Sequence, residues 1–514
     1  MERYWDERPR GIELSAQGLA DSLAAERRYL AEVEAVPRAA LDPEARLTYD
    51  IFLRRRREDI QGYTYPSELM PVEPFDSPPF ALAREAAKAG EGELSSARDY
   101  EHWIARMDEG ARWMRQSILN MREGLRRGYT LPKVLVERTI AELVPLGVDT
   151  ETNLFYAPMH TMPDTIKESE RSALGARLGA AAKDRLLPAY RALREFLESE
   201  YLPKARTSPA LSALPLGSSW YAYRVERATG TRLRPDEIHA SGLAEVERIR
   251  TRLESLPAGG APATGDPIAR VEELKARVLA AAPGLFVSMP QQDFAIRAFR
   301  PRFAEPSMVY VPADPAARRS AVLFVNGTPP AGQSQASETV EFLEAGVPGR
   351  HLQSALQEER ADLPRFRRFA SDPGFVQGWA LYAVALGEEL NVYDEEGKRA
   401  AMVRQLECAI ALVVDTGLHA QGWTRGQAVD YVRSQLAADD TDAGSRVDRY
   451  IASPGDALAC KIGELKLRAL RGAAQQALGG QFDAKEFHAQ ILKDGSMPLD
   501  ILDAKISAWL GSRR

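Results

Sequence analysis

The N-terminal half of the chain places apolar residues at helical spacing among charged ones. The clearest example begins at Pro235, which suits the first turn of a helix and precedes two acids that complement the helix dipole. Apolar residues at steps of three and four then mark one face, at Leu243, Val246, Ile249, Leu253 and Leu256. The pattern predicts an amphipathic helix here and an N-terminal helical lobe over residues 1–256.

The pattern changes after a loop rich in proline and glycine at residues 257–265. Short runs of β-branched and aromatic residues follow, and such runs are typical of strands. They occupy residues 294–299, 308–311 and 321–325. Helical spacing returns from about Glu338 and continues to the end. We therefore expect a mainly α protein with a small β-sheet (α+β), in which residues 267–514 form a C-terminal lobe interlocked with the first.

Composition and charge narrow the class of protein. Lys and Arg total 67 and Asp and Glu total 73, so the net charge of −6 argues against a nucleic-acid partner. A hydrophobic content of 45% excludes global disorder. Apolar runs such as Ala409–Val414 are too short to span a bilayer, and Met1–Arg8 contains no apolar signal segment. We expect a cytoplasmic protein without a membrane partner.

Only two cysteines, Cys408 and Cys460, and six histidines occur in the sequence. These numbers exclude a disulfide scaffold and a cysteine-rich zinc site.

Several short motifs in the C-terminal half carry a family resemblance. Pro348-Gly349 interrupts an otherwise helical pattern, and a Gly-Trp-Ala-Leu-Tyr box begins at Gly378. An Asp-Thr-Gly box at Asp415 and a Lys-Ile-Gly-Glu box at Lys461 follow in the same order as in the family. The chain resembles the "domain of unknown function 885" family from about residue 47 to 510. The resemblance implies a large helical, zincin-like metallopeptidase scaffold around a deep cleft.

The family pattern is His-Glu-x-x-Pro-Gly-His-His, followed by a Glu-Gly-Trp-Ala-Leu-Tyr box. The resemblance implies that histidines and the later glutamate bind Zn²⁺, and that the first glutamate is the general base on a metal-bound water.

This sequence departs from the pattern at nearly every reactive position. Glu344 replaces the first histidine, Ala345 the general base, and Arg350 the third histidine, so that His351 alone is retained. In the second box Gln377 replaces the glutamate ligand. A one-residue insertion would place Glu344 at the general base, but the first ligand would still be lost. We therefore expect no cofactor, although zinc is expected for the family.

Alternatives remain open for these residues. Glu344 and His351 are candidates for a remodelled metal site, with Asp415 or His419 as further ligands. Alternatively, Arg350 simply pairs with Glu344, because a buried charge without a partner is costly.

Both cysteines replace polar pocket residues of the family. Cys408 corresponds to an arginine and Cys460 to a tyrosine. A thiol near His351 or His419 would be an activated nucleophile, whereas a free cysteine is otherwise a small hydrophobe that fills space.

The candidate site residues fall into two groups. The catalytic candidates are Glu344, Arg350, His351, Gln377, Tyr450 and Cys460, with Tyr450 as a hydrogen-bond donor to an oxyanion. The substrate-binding candidates are Tyr223, Arg224, Tyr382, Asp415, His419 and Arg449.

Comparison of this sequence with the family pattern leaves three candidate functions. The first is a metallopeptidase-like protein that has lost its zinc ligands and general base, and that binds a small-molecule or peptide-like ligand in the cleft. The second is a zinc-independent enzyme acting on a peptide-like or amino-acid-derived small molecule, for example in a biosynthetic pathway. The third is an active metallohydrolase with unusual ligands. Fold alone does not separate them, because function resides in the site.

Overall fold

The structure is a computed structural model, and it describes residues 14–257, 262–299, 307–313, 319–328, 333–436 and 439–513. The start of the chain at residues 1–13 and part of the loop rich in proline and glycine, residues 258–261, lie outside the described residues.

Helices dominate the described part of the chain. The N-terminal helices are α1 (Ala16–Glu34), α2 (Pro43–Gly62), α3 (Pro78–Lys88), α4 (Ala97–Arg127), α5 (Lys133–Leu143), α6 (Glu168–Ala180), α7 (Leu187–Phe196), α8 (Gly217–Thr229), α9 (Pro235–Glu254) and α10 (Pro267–Ala281). After the strands come α11 (Gln335–Ala345), α12 (Arg350–Glu359), α13 (Arg365–Phe369), α14 (Pro373–Ala385), α15 (Glu395–His419), α16 (Arg425–Leu436), α17 (Asp440–Ala452), α18 (Leu458–Leu478), α19 (Ala484–Leu492) and α20 (Leu499–Gly511).

A small sheet separates the two series of helices. Its strands are β1 (Phe294–Phe299), β2 (Met308–Val311) and β3 (Ala321–Asn326), in the order β1-β3-β2. β1 runs parallel to β3 with Phe294 opposite Ala321, and β2 runs antiparallel to β3. The central strand β3 is the most buried, as its run of apolar residues requires. The predicted fold class, mainly α with a small sheet, is confirmed.

Helix α9 shows where the sequence pattern and the packing differ. Its predicted start at Pro235 is confirmed, and Val246 and Ile249 are buried as predicted. Leu243, however, is 45% exposed, so its predicted place on the buried face is wrong. The reason is that α9 packs along α15 through Gly242, where a Cβ atom would lie 2.8 Å from the Leu412 side chain. The buried face is therefore centred on a glycine that the apolar pattern does not reveal.

Helices α14 and α18 touch backbone to backbone. A Cβ atom on Gly378 would lie 2.4 Å from the Cα of Gly463, and a Cβ on Gly463 would lie 1.9 Å from the carbonyl oxygen of Gly374. Gly378 belongs to the Gly-Trp-Ala-Leu-Tyr box and Gly463 to the Lys-Ile-Gly-Glu box. The two boxes are thus explained in part by a close helix crossing.

The buried core joins residues from both predicted lobes. One hydrophobic cluster extends from Tyr29 in α1 to Leu510 in α20. The division at residues 256 and 267 stays a prediction, as does the deep cleft.

Candidate functional site

The Pro348-Gly349 motif forms a tight break between two helices, as predicted. α11 ends at Ala345 and α12 begins at Arg350. A Cβ atom on Gly349 would lie 2.1 Å from the carbonyl oxygen of Glu344, so a larger residue cannot fit without a backbone shift. The indole nitrogen of Trp379 donates a hydrogen bond to the carbonyl oxygen of Pro348 at 2.8 Å. This bond ties the second motif on α14 to the break.

Glu344 forms a bidentate ion pair with Arg404 on α15. The guanidinium Nε and Nη2 atoms donate to the two carboxylate oxygens at 2.6 and 2.9 Å. Burial opposes ionisation of Glu344, but the charge and hydrogen bonds of Arg404 prevail and lower its pKa. Arg350 forms no ion pair with Glu344, so the predicted Arg350–Glu344 pair is wrong. Arg404 was missed because it lies in no family motif, although it stands one turn before Cys408.

Further charges extend this pair into a chain on one side of the site. Arg404 also contacts Glu407 at 3.1 Å, and Glu407 contacts Arg446 on α17 at 3.1 Å. The Arg404 side chain keeps 30% exposure and that of Glu344 keeps 14%. Because neighbouring groups in this chain carry opposite charges, they hold one another in position while their side chains remain partly exposed to solvent.

The lowered pKa of Glu344 predicts how the stability of the fold depends on pH. A carboxylate with a lowered pKa stabilises the fold above its unfolded pKa of roughly 4.3, and this stabilisation is lost as the pH falls through the lowered value. We expect Glu344→Gln to be less stable than the native chain at pH 7, and the difference to shrink toward pH 3. Urea unfolding across this range measures it. The exposed Glu272→Gln is the control, and a difference that does not change with pH would contradict the prediction.

Glu341, one turn before Glu344, is a second acid at the site. One of its carboxylate oxygens is buried without a hydrogen-bond partner in the described structure, and Gln333 lies 3.4 Å from the other. Burial and the neighbouring charge of Glu344 raise the pKa of Glu341 to about 7. This group exchanges a proton near neutral pH, which is the range a general acid or base needs.

Arg350 and Gln377 are half-buried, and neither side chain is bound by another described residue. Arg350 begins α12, and within the described ranges its guanidinium forms no ion pair or side-chain hydrogen bond. Gln377 on α14 has no side-chain hydrogen bond to another described residue either. It lies one helical turn before Leu381, which contacts both cysteines. Both side chains retain donors for a ligand.

His351 lies in the core against the sheet. Its Nδ1 atom and the Tyr310 hydroxyl are 3.0 Å apart, and its ring centroid is 4.4 Å from that of Phe294. Burial lowers the pKa of His351 to about 4. The structure therefore places His351 apart from the Glu344–Arg404 pair, as a packed neutral imidazole.

The two cysteines meet, although they lie on different helices. Cys408 on α15 and Cys460 on α18 form one buried cluster with Leu381. Tyr450 is half-buried nearby, and burial raises its pKa. Among the described residues the Tyr450 hydroxyl has no hydrogen-bond partner, so it stays available as a donor.

Asp415 and His419 hold the end of α15 in place. Asp415 accepts hydrogen bonds from the Tyr221 hydroxyl at 2.6 Å and from the Gly455 backbone nitrogen at 3.0 Å. His419 accepts from the backbone of Leu211 at 3.1 Å and donates to the carbonyl oxygen of Tyr450 at 2.9 Å. Burial raises the pKa of Asp415 to about 7 and lowers that of His419 to about 3. Both side chains are fully occupied by structural contacts.

Two other substrate-binding candidates lie on α8. Tyr223 packs against Tyr65 with ring centroids 5.2 Å apart. Arg224 donates to the carbonyl oxygen of Pro454 at 3.1 Å and pairs with Asp456 at 3.0 Å. Arg224 lines a cavity of about 130 Å³ that is separate from the cysteine cluster.

The last two candidates also make structural contacts. Tyr382 is buried, with its hydroxyl 3.0 Å from His488 and 3.1 Å from Arg471. Arg449 is exposed and lies 4.6 Å over the ring of Phe75.

The side chains at the family's ligand positions do not fit the zinc ion that the family resemblance implies. Both oxygens of Glu344 are bound by Arg404, and His351 lies against the sheet. Within the described ranges, no group of three or more His, Cys, Asp and Glu side chains has the arrangement needed to hold a metal ion.

The family model for "Bacterial protein of unknown function (DUF885)" matches residues 9–506. The chain belongs to this family. The resemblance deduced from the motifs is therefore confirmed. No curated protein matches the sequence significantly.

Two solved structures share the fold. One is described as "the putative lipoprotein from Colwellia psychrerythraea", with 22% identity, 96% of this chain and 91% of that chain covered, and a TM-score of 0.88. The other is described as "a putative lipoprotein of unknown function from Shewanella oneidensis", with 14% identity, 97% and 94% covered, and a TM-score of 0.69. At these identities they show the fold alone. In the described part of this chain, no helix is long and apolar enough to cross a membrane.

Proposed function

We propose that this chain is a metal-independent member of its family that binds a small, carboxylate-bearing molecule of peptide-like or amino-acid-derived chemistry at the motif region. The observation that carries the proposal is the bidentate Glu344–Arg404 pair. A cationic guanidinium holds both oxygens of the residue that stands at the first ligand position of the family. A zinc ion would have to displace this guanidinium against its charge.

The position of the general base supports the same proposal. Ala345 stands there, and its methyl group accepts no proton. Peptide hydrolysis by the family's mechanism would therefore lack both its metal and its base.

The half-buried Arg350 is the anchor that we assign to the ligand. The charge of Glu344 acts on Arg350, but Arg404 already neutralises Glu344. The charge of Arg350 is therefore left without a partner among the described residues. A ligand carboxylate would accept two parallel hydrogen bonds from this guanidinium. Gln377 on α14 and the Tyr450 hydroxyl on α17 would supply further donors. The contact would offset the cost of half-burying the arginine.

A binding experiment with a defined probe tests the proposal. We expect N-acetyl-alanyl-alanine to bind measurably by calorimetry, and its C-terminal amide, which lacks the carboxylate, to bind at least about tenfold more weakly. A tenfold difference in affinity corresponds to about 1.4 kcal/mol. Arg350→Gln should weaken binding of the acid to the level of the amide. Arg115→Gln, an exposed arginine on α4, should leave binding unchanged. Equal affinity for acid and amide would contradict the proposal.

Metal analysis completes the test. In protein purified without added zinc, we expect zinc well below one atom per chain and no change in Tm on adding a chelator. Stoichiometric zinc with chelator-sensitive peptide hydrolysis would instead establish a metallohydrolase with unusual ligands.

The second candidate function is a zinc-independent enzyme on the same class of molecule. The observation that favours it is Glu341, whose pKa of about 7 suits proton transfer. Mass analysis of the probe after incubation separates the two functions, because a binding protein returns the probe unchanged.

A further inference from the structure

The tertiary structure brings together the two cysteines of a 514-residue sequence that contains no others. Cys408 and Cys460 lie on α15 and α18, are 5% and 8% exposed, and pack against each other and Leu381. Their side chains therefore lie beside each other across the two helices. The contact between the two cysteines does not depend on the ligand proposed above.

The surroundings make the two thiols unequal. The neighbouring Cys460 thiol lowers the pKa of Cys408, and the guanidinium of Arg404 lowers it further against the effect of burial. The neighbouring Cys408 and burial raise the pKa of Cys460. Arg404 precedes Cys408 by one helical turn, so its cation lies beside the sulfur. Cys408 is therefore the cysteine of the pair that ionises more readily, and Cys460 is the one that keeps its proton.

We propose that Cys408 and Cys460 form a peroxide-reactive thiol pair that closes to a disulfide between α15 and α18. The Cys408 thiolate attacks one oxygen of a hydroperoxide, the O–O bond breaks, and the leaving oxygen takes a proton to become an alcohol or water. Cys408 is then a sulfenic acid. Cys460 attacks its sulfur, the S–S bond forms, and the hydroxyl leaves as water with the Cys460 proton. With hydrogen peroxide, two thiols and one peroxide give one disulfide and two waters.

Hydrogen peroxide and mass spectrometry test the pair on the full chain. We expect the reduced native chain to lose two hydrogens in mass, and a non-reducing digest to contain a peptide that links Cys408 to Cys460. Cys460→Ser should stop at the sulfenic acid, which dimedone traps as one adduct per chain. Cys408→Ser should react with peroxide at least about tenfold more slowly, because the cysteine with the lowered pKa is gone.

Serine is close in size to cysteine, and the Tm of each variant is measured to show that it folds. The digest of the native chain requires no variant, so it remains decisive if either fails to fold. Absence of the linked peptide, or a peroxide rate for Cys408→Ser equal to that of Cys460→Ser, would overturn the proposal.

Discussion

Replacing Lys461 by methionine is expected to lower the free energy of unfolding by about 3–5 kcal/mol, the cost of removing one partner from a buried ion pair. Its ammonium group is fully buried and lies 3.0 Å from Glu245, 3.0 Å from Glu464 and 2.6 Å from the Gln405 side-chain oxygen. Glu464 is also buried, with 1% of its side chain exposed. Methionine fills a similar volume but leaves this carboxylate with less compensation.

Urea unfolding at pH 7 measures the effect of Lys461→Met. The control is Lys466→Met on the same helix, whose ammonium is 30% exposed and 3.6 Å from Asp503. We expect the control to change stability by less than about 0.5 kcal/mol. Adding Glu464→Gln to Lys461→Met should recover part of the loss, since it removes a buried charge that then keeps only Arg468, 2.8 Å away, as its partner. A loss below about 1 kcal/mol for Lys461→Met would show that the ion pairs contribute little.

Replacing Gly463 by alanine is expected to cost about 3 kcal/mol, the upper part of the usual range for overpacking. The new Cβ atom would lie 1.9 Å from the carbonyl oxygen of Gly374 and 2.5 Å from the Cα of Gly378. Both obstacles are backbone atoms, so no side-chain rotation relieves them. Helices α14 and α18 must therefore move apart, and the packing of Leu381 on α14 against Cys460 on α18 is then lost.

A second glycine on α18 provides a matched control for Gly463→Ala. A Cβ atom on Gly472 meets nothing within 4 Å. Gly472→Ala should leave stability unchanged or raise it by up to about 1 kcal/mol, because alanine favours a helix over glycine. Urea unfolding compares the two variants, and equal effects would contradict a close helix crossing at Gly463.

The local structure could be predicted well from the sequence because it depends on short-range chemistry. The strands at 294–299, 308–311 and 321–326 follow from runs of β-branched and aromatic residues between breakers. The break at Pro348-Gly349 follows from the conformational limits of proline and glycine. The glycine of the Asp-Thr-Gly box does not end α15, which continues to His419. Helix ends depend on tertiary contacts, and here buried bonds of His419 extend the helix.

The candidate site could be predicted only in part. Resemblance to the family directed attention to Glu344, Arg350, Gln377 and Cys460, but it did not show which side chains contact each other. His351 and Tyr382 carry the right chemistry and point into packed surroundings, as their hydrogen bonds show. A motif specifies spacing along the chain, whereas the partner of a side chain depends on which other helix lies opposite.

The sequence by itself determined the family and the order of helices and strands, since each depends on residue identity or local spacing. The tertiary structure alone decided that Arg404 neutralises Glu344, that Cys408 meets Cys460 and that Arg350 has no ion-pair partner in the described part of the chain. These contacts join residues distant in sequence on separate helices. Helix packing sets such distances, and no local pattern contains them.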